Sequence, residues 1–360
     1  MHFLSELAQR LEVDTNEVYI LDFSTLQLKH NKVENNSYSK KLNKYARIKF
    51  SDRIMRPLLI NKILKEYDFD KVNFQFLYWH YIFCVRTFVQ VKAEIFITIF
   101  GSDFYRAGSI KKRFIYPYIL KRVHSIIFTN NKTKQDFNQY YKNLKDVKKY
   151  VCRLGLPALS YIDKNREEKT KLNKHFSLPT QKIIVSVGYN LTKEQQHIKA
   201  IDAIELLEKE EKEKLHIVFP LTYGGSKEYL ESIEKYLAKH ATFSYTILTK
   251  YMDNNEISKL RIVTDIMINI LETDQFSGSM QEHLYANNVV IAGTWLPYET
   301  MREKGIFMKG VKSIDTLHTI LSEVLENLQE MIEKSRYNTK YISELSSWDN
   351  VISCWKDIFK

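Results

Sequence analysis

Strand-length apolar runs recur along this chain, and between them the apolar residues fall at helical spacing. In the first half the runs are VYILDF (18–23), VNFQFLY (72–78), IFITIFG (95–101), SIIFTN (125–130) and YVCRLGL (150–156). In the second half they are KIIVSVGY (182–189), LHIVFPLTY (215–223), FSYTILT (243–249), TDIMINI (264–270), NVVIAG (288–293) and GIFMK (305–309). Helices are expected at 53–66, 113–124 and 132–141, then at 196–210, 226–239, 254–263, 277–287 and 314–334. A strand that is apolar throughout must be covered on both faces, and helices alternating with such strands cover a parallel sheet. The alternation breaks once, at 157–181, which is polar, charged and bracketed by Pro157 and Pro179. The pattern therefore predicts an α/β chain of two doubly wound, Rossmann-like domains, 1–157 and 182–340, joined by a linker at 158–181.

The formal net charge of +11 sits in one half of the 360 residues. Residues 1–157 carry 28 Lys and Arg against 14 Asp and Glu, whereas residues 158–360 carry 26 against 29. A field of that size draws anionic partners: nucleic acid, an anionic membrane surface or a phosphorylated substrate. An ordinary lysine-rich surface is the other reading. Nucleic-acid recognition wants its basic residues along one groove-reading element, and no such motif is present. No G-x-G-x-x-G follows any strand, which sets a nicotinamide-dependent enzyme aside. No apolar run approaches the roughly 18 residues that span a bilayer. The opening MHFLSELAQRLEVD lacks the charged-then-apolar layout of a secretory signal. Cys84, Cys152 and Cys354 are far apart and odd in number. They are expected to be buried small hydrophobes of a reducing compartment, with no disulfide framework and no metal-ligand spacing. A cytoplasmic location follows from these readings.

One junction carries chemistry: TDQFSGSMQEHLYANNVVIAG, residues 273–293. In open α/β sheets ligands bind beyond the carboxyl ends of the strands, where helix N-termini present unpaired N–H groups. Here strand 264–270 turns through LETDQ into a helix near Ser277-Gly278-Ser279, whose small side chains admit a ligand to the backbone. Asp274 lies on the loop, and Glu282 lies inside the helix eight residues on. Glu282 is past the first turn, where an acid would merely complement the dipole. With Asp274 it is placed to reach out of one mouth, where carboxylates would accept from ribose hydroxyls and the helix end would hold phosphates. The other reading is a cap plus one solvent-facing Glu. Asn287 closes the helix, being tolerant of the left-handed turn.

The stretch resembles the donor motif of GT-B glycosyltransferases, E-x-F-G-x4-E-A-x-A-x-G-x-P-V-I-A. Asp274 stands at the first acid, followed by Gln275 and Phe276; Ser277 replaces the Gly, and Glu282 is the second acid. Asn287 stands at the turn Gly and Val289 at the Pro, so the motif here is D-x7-E. The resemblance implies that Glu282 holds the nucleotide ribose and that Asp274 lies by the donor sugar, with Phe276, Ser277, Gly278 and Ser279 around them. TKYMDNNEISKLRIVTDIMINI (249–270) is similar to the base-binding loop, helix and strand, which puts Lys250 and Tyr251 beside the nucleobase. SVGYNLTKEQQHIKAIDAI (186–204) takes the place of the first glycine loop, with Gly188, Tyr189 and Asn190 at its turn. His197 and Lys199 are nearest to the basic pair often found there. VFPLTYGGSKEYLESI (218–233) is similar to the second loop, with Tyr223 and Gly224 at its tip. The tail, 341–360, contains SSWDNVISCWKDIFK, which resembles the C-terminal helix that packs back on the first domain.

ITIFGSDFYR (97–106) and KKRFIYPYILKRV (111–123), with the HIKA and FPLTY segments, resemble bacterial N-acetylfucosaminyltransferases that act on polyprenyl-diphosphate lipids. The likeness covers about residues 60–355. A GT-B chain opens with a strand before its first helix. Here residues 2–11 already read as that helix, so the expectation is either a chain that begins late or an abbreviated first domain that lacks its opening strand.

The activity implied is that of a nucleotide-sugar-dependent hexosyltransferase in bacterial surface polysaccharide synthesis. The donor would be UDP- or TDP-linked, and the acceptor a glycan or a polyprenyl-diphosphate-linked sugar bound by domain 1–157. The nucleotide sugar is a co-substrate; no resident cofactor and no catalytic metal are expected, with helix dipoles, His197, Lys199 and Lys250 supplying the electrostatics. Asp103, at the carboxyl end of strand 95–101, is the first candidate base, and also reads as a turn Asp. His80 is the second, and also reads as a packed structural His. The basic run 106–124 would lie on the anionic inner face of a membrane. The alternative is a GT-B-shaped accessory subunit without catalysis, to which Asp274 and the missing opening strand point.

Overall fold

The computed structural model describes residues 2–12, 17–22, 27–30, 33–35, 51–166, 169–274 and 276–360. The chain forms two compact units, one of Met1–Gly155 with Val351–Lys360, the other of Leu156–Asn350.

In the first unit four parallel strands run in the order β4 (Lys71–Gln75), β5 (Glu94–Ile99), β6 (Ser125–Phe128) and β7 (Lys148–Val151). Strand β5 is buried from Ile95 to Ile99, which is why its sequence runs apolar without alternating. The helix read at 2–11 forms as His2–Glu12. The strand read at 18–23 is a correction. Its residues 19–22 form β1 (Tyr19–Asp22), which pairs antiparallel with β2 (Gln27–His30), itself paired with β3 (Val33–Asn35). They make a small separate sheet rather than a strand of the parallel one. Phe23 lies outside the described residues.

The end of the chain belongs to this unit too. Trp355 is fully buried and donates from Nε1 to Arg153 O (2.6 Å), Phe359 packs on Phe96 (5.2 Å between centroids), and Lys71 Nζ bonds Ile358 O (2.9 Å). This return brings Cys354 to Cys152 across 202 positions, and the two form a disulfide with Cα atoms 5.7 Å apart. The expectation of three unpaired cysteines is thereby overturned. Sequence separation hid a pair that only the C-terminal helix could assemble. Cys84 stays free and buried.

The second unit holds six parallel strands in the order β10-β9-β8-β11-β12-β13. They are β8 (Ile183–Val187), β9 (Leu215–Pro220), β10 (Ser244–Leu248), β11 (Ile266–Asn269), β12 (Val289–Gly293) and β13 (Lys309–Val311). Alternate side chains feed opposite layers: Ile266 and Ile268 pack with Ile201, Ile204 and Leu321, while Met267 packs with Met280 and Leu284. The helix read at 254–263 forms over Asn254–Val263. The long one read at 314–334 breaks at Asn327 into Leu317–Glu326 and Leu328–Arg336.

Residues 158–181 are not a linker. They contain the helices Ala158–Asn165 and Lys169–His175, and Leu159, Ile162, Leu172 and Leu178 enter the cores of the second unit. Asn165 Nδ2 reaches Ser258 Oγ (3.1 Å), and Arg166 Nη2 reaches Tyr285 O (2.8 Å). The polar outer faces of these helices imitate a linker in the sequence.

The disulfide closes a very long loop in the unfolded chain, so its removal is expected to cost about 2–5 kcal/mol. Alkylation of the unreduced, denatured protein should label one cysteine, and after reduction three. Cys354→Ser should lower the melting temperature. Three labels without reductant would refute the pairing.

Candidate functional site

In the second unit the strand order reverses between β8 and β11. Loops leaving the two strands run to opposite sides of the sheet there, and open α/β sheets bind ligands in the crevice this leaves. A cavity of about 100 Å³ lies at this edge. Its walls come from four strand ends: Tyr189 after β8, Thr222 and Tyr223 after β9, Met252 after β10, and Ser279 and Glu282 on the Gly278–Tyr285 helix after β11. Ile257 and Arg261 of the Asn254–Val263 helix complete it.

Glu282 sits where the sequence placed it, but it is not alone. Its Oε2 accepts from Arg261 Nε (3.2 Å) and Nη2 (3.1 Å), and Nη2 also reaches Ser279 Oγ. Arg261 and Glu282 side chains are 4% and 13% exposed. Burial pushes the Glu282 carboxyl up, and the Arg261 charge opposes that shift. Sequence reasoning missed Arg261, whose only signal was a cation set among apolar residues in SKLRIV.

Asp274 does not share the mouth with Glu282. Its Oδ2 accepts from Ser277 N (3.0 Å) and from the Tyr298 hydroxyl, so it shapes the turn into the helix. Phe276 is a core residue packed edge-on against Tyr298, with backbone φ of 63°. Ser277 caps the helix. Gly278 faces Leu156 so closely that a Cβ would lie 2.9 Å from its Cδ2. Gln275 lies outside the described residues.

The first glycine loop is also braced from within. Gly188 has φ of +65°, and a Cβ there would lie 2.6 Å from Gln195 Oε1. Asn190 Oδ1 accepts from Thr192 N (3.0 Å) and Gln195 Nε2 (3.1 Å). Leu191 N donates to Tyr223 O (2.7 Å), and at Gly225 a Cβ would lie 2.2 Å from Leu191 O, so the two loops touch. Beside them a cavity of about 360 Å³ is lined by 191–194, Gly224, Gly225, Ser226 and Tyr229.

His197 is a correction. It is fully buried, its Nδ1 lies 3.2 Å from the Tyr229 hydroxyl, and burial pushes it down to about 4. It is neutral at neutral pH and supplies no charge to an anion. Lys199 is exposed and bonds Gln196 Oε1 (2.8 Å). Lys250 and Tyr251 stand exposed, while Met252 of the same segment lines the cavity.

In the first unit, Asp103 is 4% exposed and its carboxylate is already occupied. It accepts from Leu77 N (2.9 Å), Phe100 N (3.1 Å) and Gly101 N (2.9 Å), tying the loops after β4 and β5 together. Burial pushes its carboxyl up against the pull of those N–H groups. This geometry makes Asp103 a loop brace, not an exposed base. His80 is partly exposed and stacks on Tyr78 (5.0 Å, 14°). Among the described residues no group of His, Cys, Asp and Glu could hold a metal ion, and no helix is long and apolar enough to cross a membrane.

No family profile and no curated protein matches the sequence. Solved structures match the fold. A glycosyltransferase from Rickettsia africae superposes with a TM-score of 0.69 at 16% identity, over 91% of this chain and 88% of that one. HepE from Anabaena in complex with UDP-glucose gives 0.67 at 12% identity, over 84% and 81%. An α,α-trehalose-phosphate synthase (UDP-forming) from Burkholderia xenovorans, in complex with glucose-6-phosphate, gives 0.65 at 13% identity, over 86% and 76%. The chain has the fold of GT-B glycosyltransferases, with two Rossmann-like domains. At such identities the likeness is one of fold.

His197 has a folded pKa below its usual 6.5, so its contribution to stability is present above 6.5 and is lost as pH falls toward 4. Buried His283, also pushed down, acts in the same direction. Denaturant midpoints should fall over that window, and His197→Gln should remove up to about 3 kcal/mol of the fall. An unchanged slope would show that His197 is not buried neutral.

Proposed function

We propose that the second unit binds a nucleotide sugar, UDP- or TDP-linked, and that the chain transfers its hexosyl group to an acceptor. The observation that carries this reading is the convergence of Glu282, Arg261, Ser279, Tyr189 and Tyr223 on one cavity at the strand-order reversal. Glu282 accepts from the ribose hydroxyls, and Tyr189, Tyr223, Met252 and Ile257 offer ring and apolar surface to the base. The neighbouring fold of HepE in complex with UDP-glucose supports the ligand class.

The first unit takes the acceptor, a glycan or a polyprenyl-diphosphate-linked sugar of bacterial surface polysaccharide synthesis. His80 is the side chain proposed to receive the acceptor proton, since the carboxylate of Asp103 is engaged. Between Phe104 and Gln135 the chain carries eight Lys and Arg and no acid. On that stretch Ile110, Phe114 and Tyr118 recur every four residues and are 72%, 63% and 45% exposed. Arg122 lies 3.8 Å above the Tyr118 ring and Arg113 5.4 Å from Phe114, so the cations flank the apolar tips. Such a surface suits the inner face of an anionic membrane, each cation contributing about 1 kcal/mol near the lipid.

A thermal-shift scan against UDP, TDP, GDP and CMP tests the donor site. A nucleotide at about 100 times its Kd should stabilise the parent by about 2.7 kcal/mol, and Glu282→Ala should abolish the response. If no nucleotide stabilises a folded parent, the chain is a noncatalytic subunit of this fold. Flotation with anionic vesicles tests the surface: the parent should float at low salt, and the triple variant Ile110→Ser, Phe114→Ser, Tyr118→Ser should not. Equal flotation of both would remove the apolar stripe from the proposal.

A further inference from the structure

Arg261 is an expensive residue to place where it is. Burying a guanidinium and a carboxylate costs more than burying apolar side chains of the same volume, and removing one partner of such a pair leaves an uncompensated charge. A purely structural contact between the Asn254–Val263 and Gly278–Tyr285 helices needs no ions. Yet this pair lies on the wall of the cavity, and its geometry is one-sided. Both Nε and Nη2 go to the same oxygen, Glu282 Oε2. Ser279 Oγ takes a further bond from Nη2, and Asn288 Nδ2 holds the Arg261 carbonyl (3.0 Å). Among the described residues no bond is made to Oε1, and buried Arg261 Nη1 has no partner.

We infer that Arg261 is a positioning residue for Glu282: it fixes Oε2 and leaves Oε1 as the oxygen that accepts from the sugar hydroxyls of a nucleotide. The inference rests on the donor-site reading. The fork of the guanidinium matters, because two donors converging on one oxygen set the rotation of the carboxylate as well as its place.

The titratable groups around Glu282 are Arg261, Tyr189 and Tyr223 on the facing elements and His283 on its own helix. Farther along that helix, Asp163 and Arg166 engage Tyr285. Of these, Arg261 opposes the effect of burial on the Glu282 carboxyl. Without it the carboxyl takes up a proton at higher pH, and a protonated acid loses acceptor capacity. Affinity for nucleotide should then fall on acidification sooner than in the parent.

The test measures UDP and TDP affinity by calorimetry across the neutral range for the parent, Arg261→Met, Arg261→Lys, Glu282→Gln and the double variant Arg261→Met, Glu282→Gln. Arg261→Met should weaken binding at least about tenfold and make it fall steeply toward acid pH. Arg261→Lys should keep the parent's pH profile while binding more weakly, since an ammonium cannot fork. Within the Glu282→Gln background the Met substitution should cost nothing further. Parent-like affinity at every pH in a folded Arg261→Met protein overturns the inference, as does an equal loss with and without Glu282. Should the Met variant not fold, the Lys variant decides, and unchanged affinity there overturns it. Carboxyl NMR titration of Glu282 without ligand is the independent arm. A rise from parent to Arg261→Met supports the inference, and no change refutes it. A parent that binds neither nucleotide, with Glu282 still governed by Arg261, defeats the donor reading and leaves the pairing intact.

Discussion

The second unit depends on strands that are apolar on both faces. All residues of β9, β11 and β12 are buried, so neither face can meet water and helices must cover both. Parallel strands joined by crossover helices present every carboxyl end at one edge of the sheet. The helices after β8 and β9 pack on one face with Ile201 and Ile233, and those after β10 and β11 on the other with Leu260 and Met280. The split occurs between β8 and β11, and the crevice opens there. Four of the cavity's residues owe their place to four strand ends: Tyr189 to β8, Tyr223 to β9, Met252 to β10, Glu282 to β11. The site is a consequence of how the core is covered.

That edge is where polar chemistry is cheapest to install, because its backbone groups are not all used by the ladder. The chain uses it mostly for bracing. Asn190 gathers its own loop, Asp274 the turn before the Gly278–Tyr285 helix, and Tyr223 O the neighbouring loop through Leu191 N. The Arg261–Glu282 pair differs in kind. It joins two helices across the cavity wall by charge, in surroundings where each ion alone would be unfavourable.

The alternation of apolar runs with helical spacing was enough to read eight of the ten parallel-sheet strands among the described residues, because a buried parallel strand has no other way to look; the runs 150–156 and 305–309 meet β7 and β13 only at 150–151 and at 309. Elements with one wet face were harder. Residues 158–181 show solvent their charged side, and the buried Leu159, Ile162 and Leu172 are too widely spaced to stand out. The antiparallel pairing of β1 with β2 and the Cys152–Cys354 bond are tertiary facts without a local trace. At the site, Glu282 and the glycine loops were legible from position alone. Arg261, 21 residues before Glu282, was not, since nothing local links a cation on one helix to an acid on the next. Asp274, Phe276 and Asp103 were placed correctly in the chain but misread in role, because a residue's type does not reveal which of its atoms the fold has already satisfied.

The kind of donor each acid accepts from, and whether it lines the cavity, separates the acids. A carboxylate has about four acceptor positions. Asp103 gives both oxygens to three backbone N–H groups and Asp265 gives one each to Ile184 N and Lys169, while Asp274 gives Oδ2 to Ser277 N and the Tyr298 hydroxyl and Asp253 gives Oδ1 to Glu256 N. Each of these ties chain to chain or caps a helix, and backbone donors held at fixed positions leave such a group little to offer a ligand. Glu282 accepts from no backbone N–H among the described residues. Its partner is a side chain that holds one oxygen, and the residue lines a cavity. A carboxylate held in place by a cation, with one oxygen uncommitted, combines the rigidity of a brace with the vacancy of a binding group. On that ground Glu282, rather than the more numerous aspartates of the strand ends, is the acid on which recognition of a hydroxyl-bearing ligand should turn.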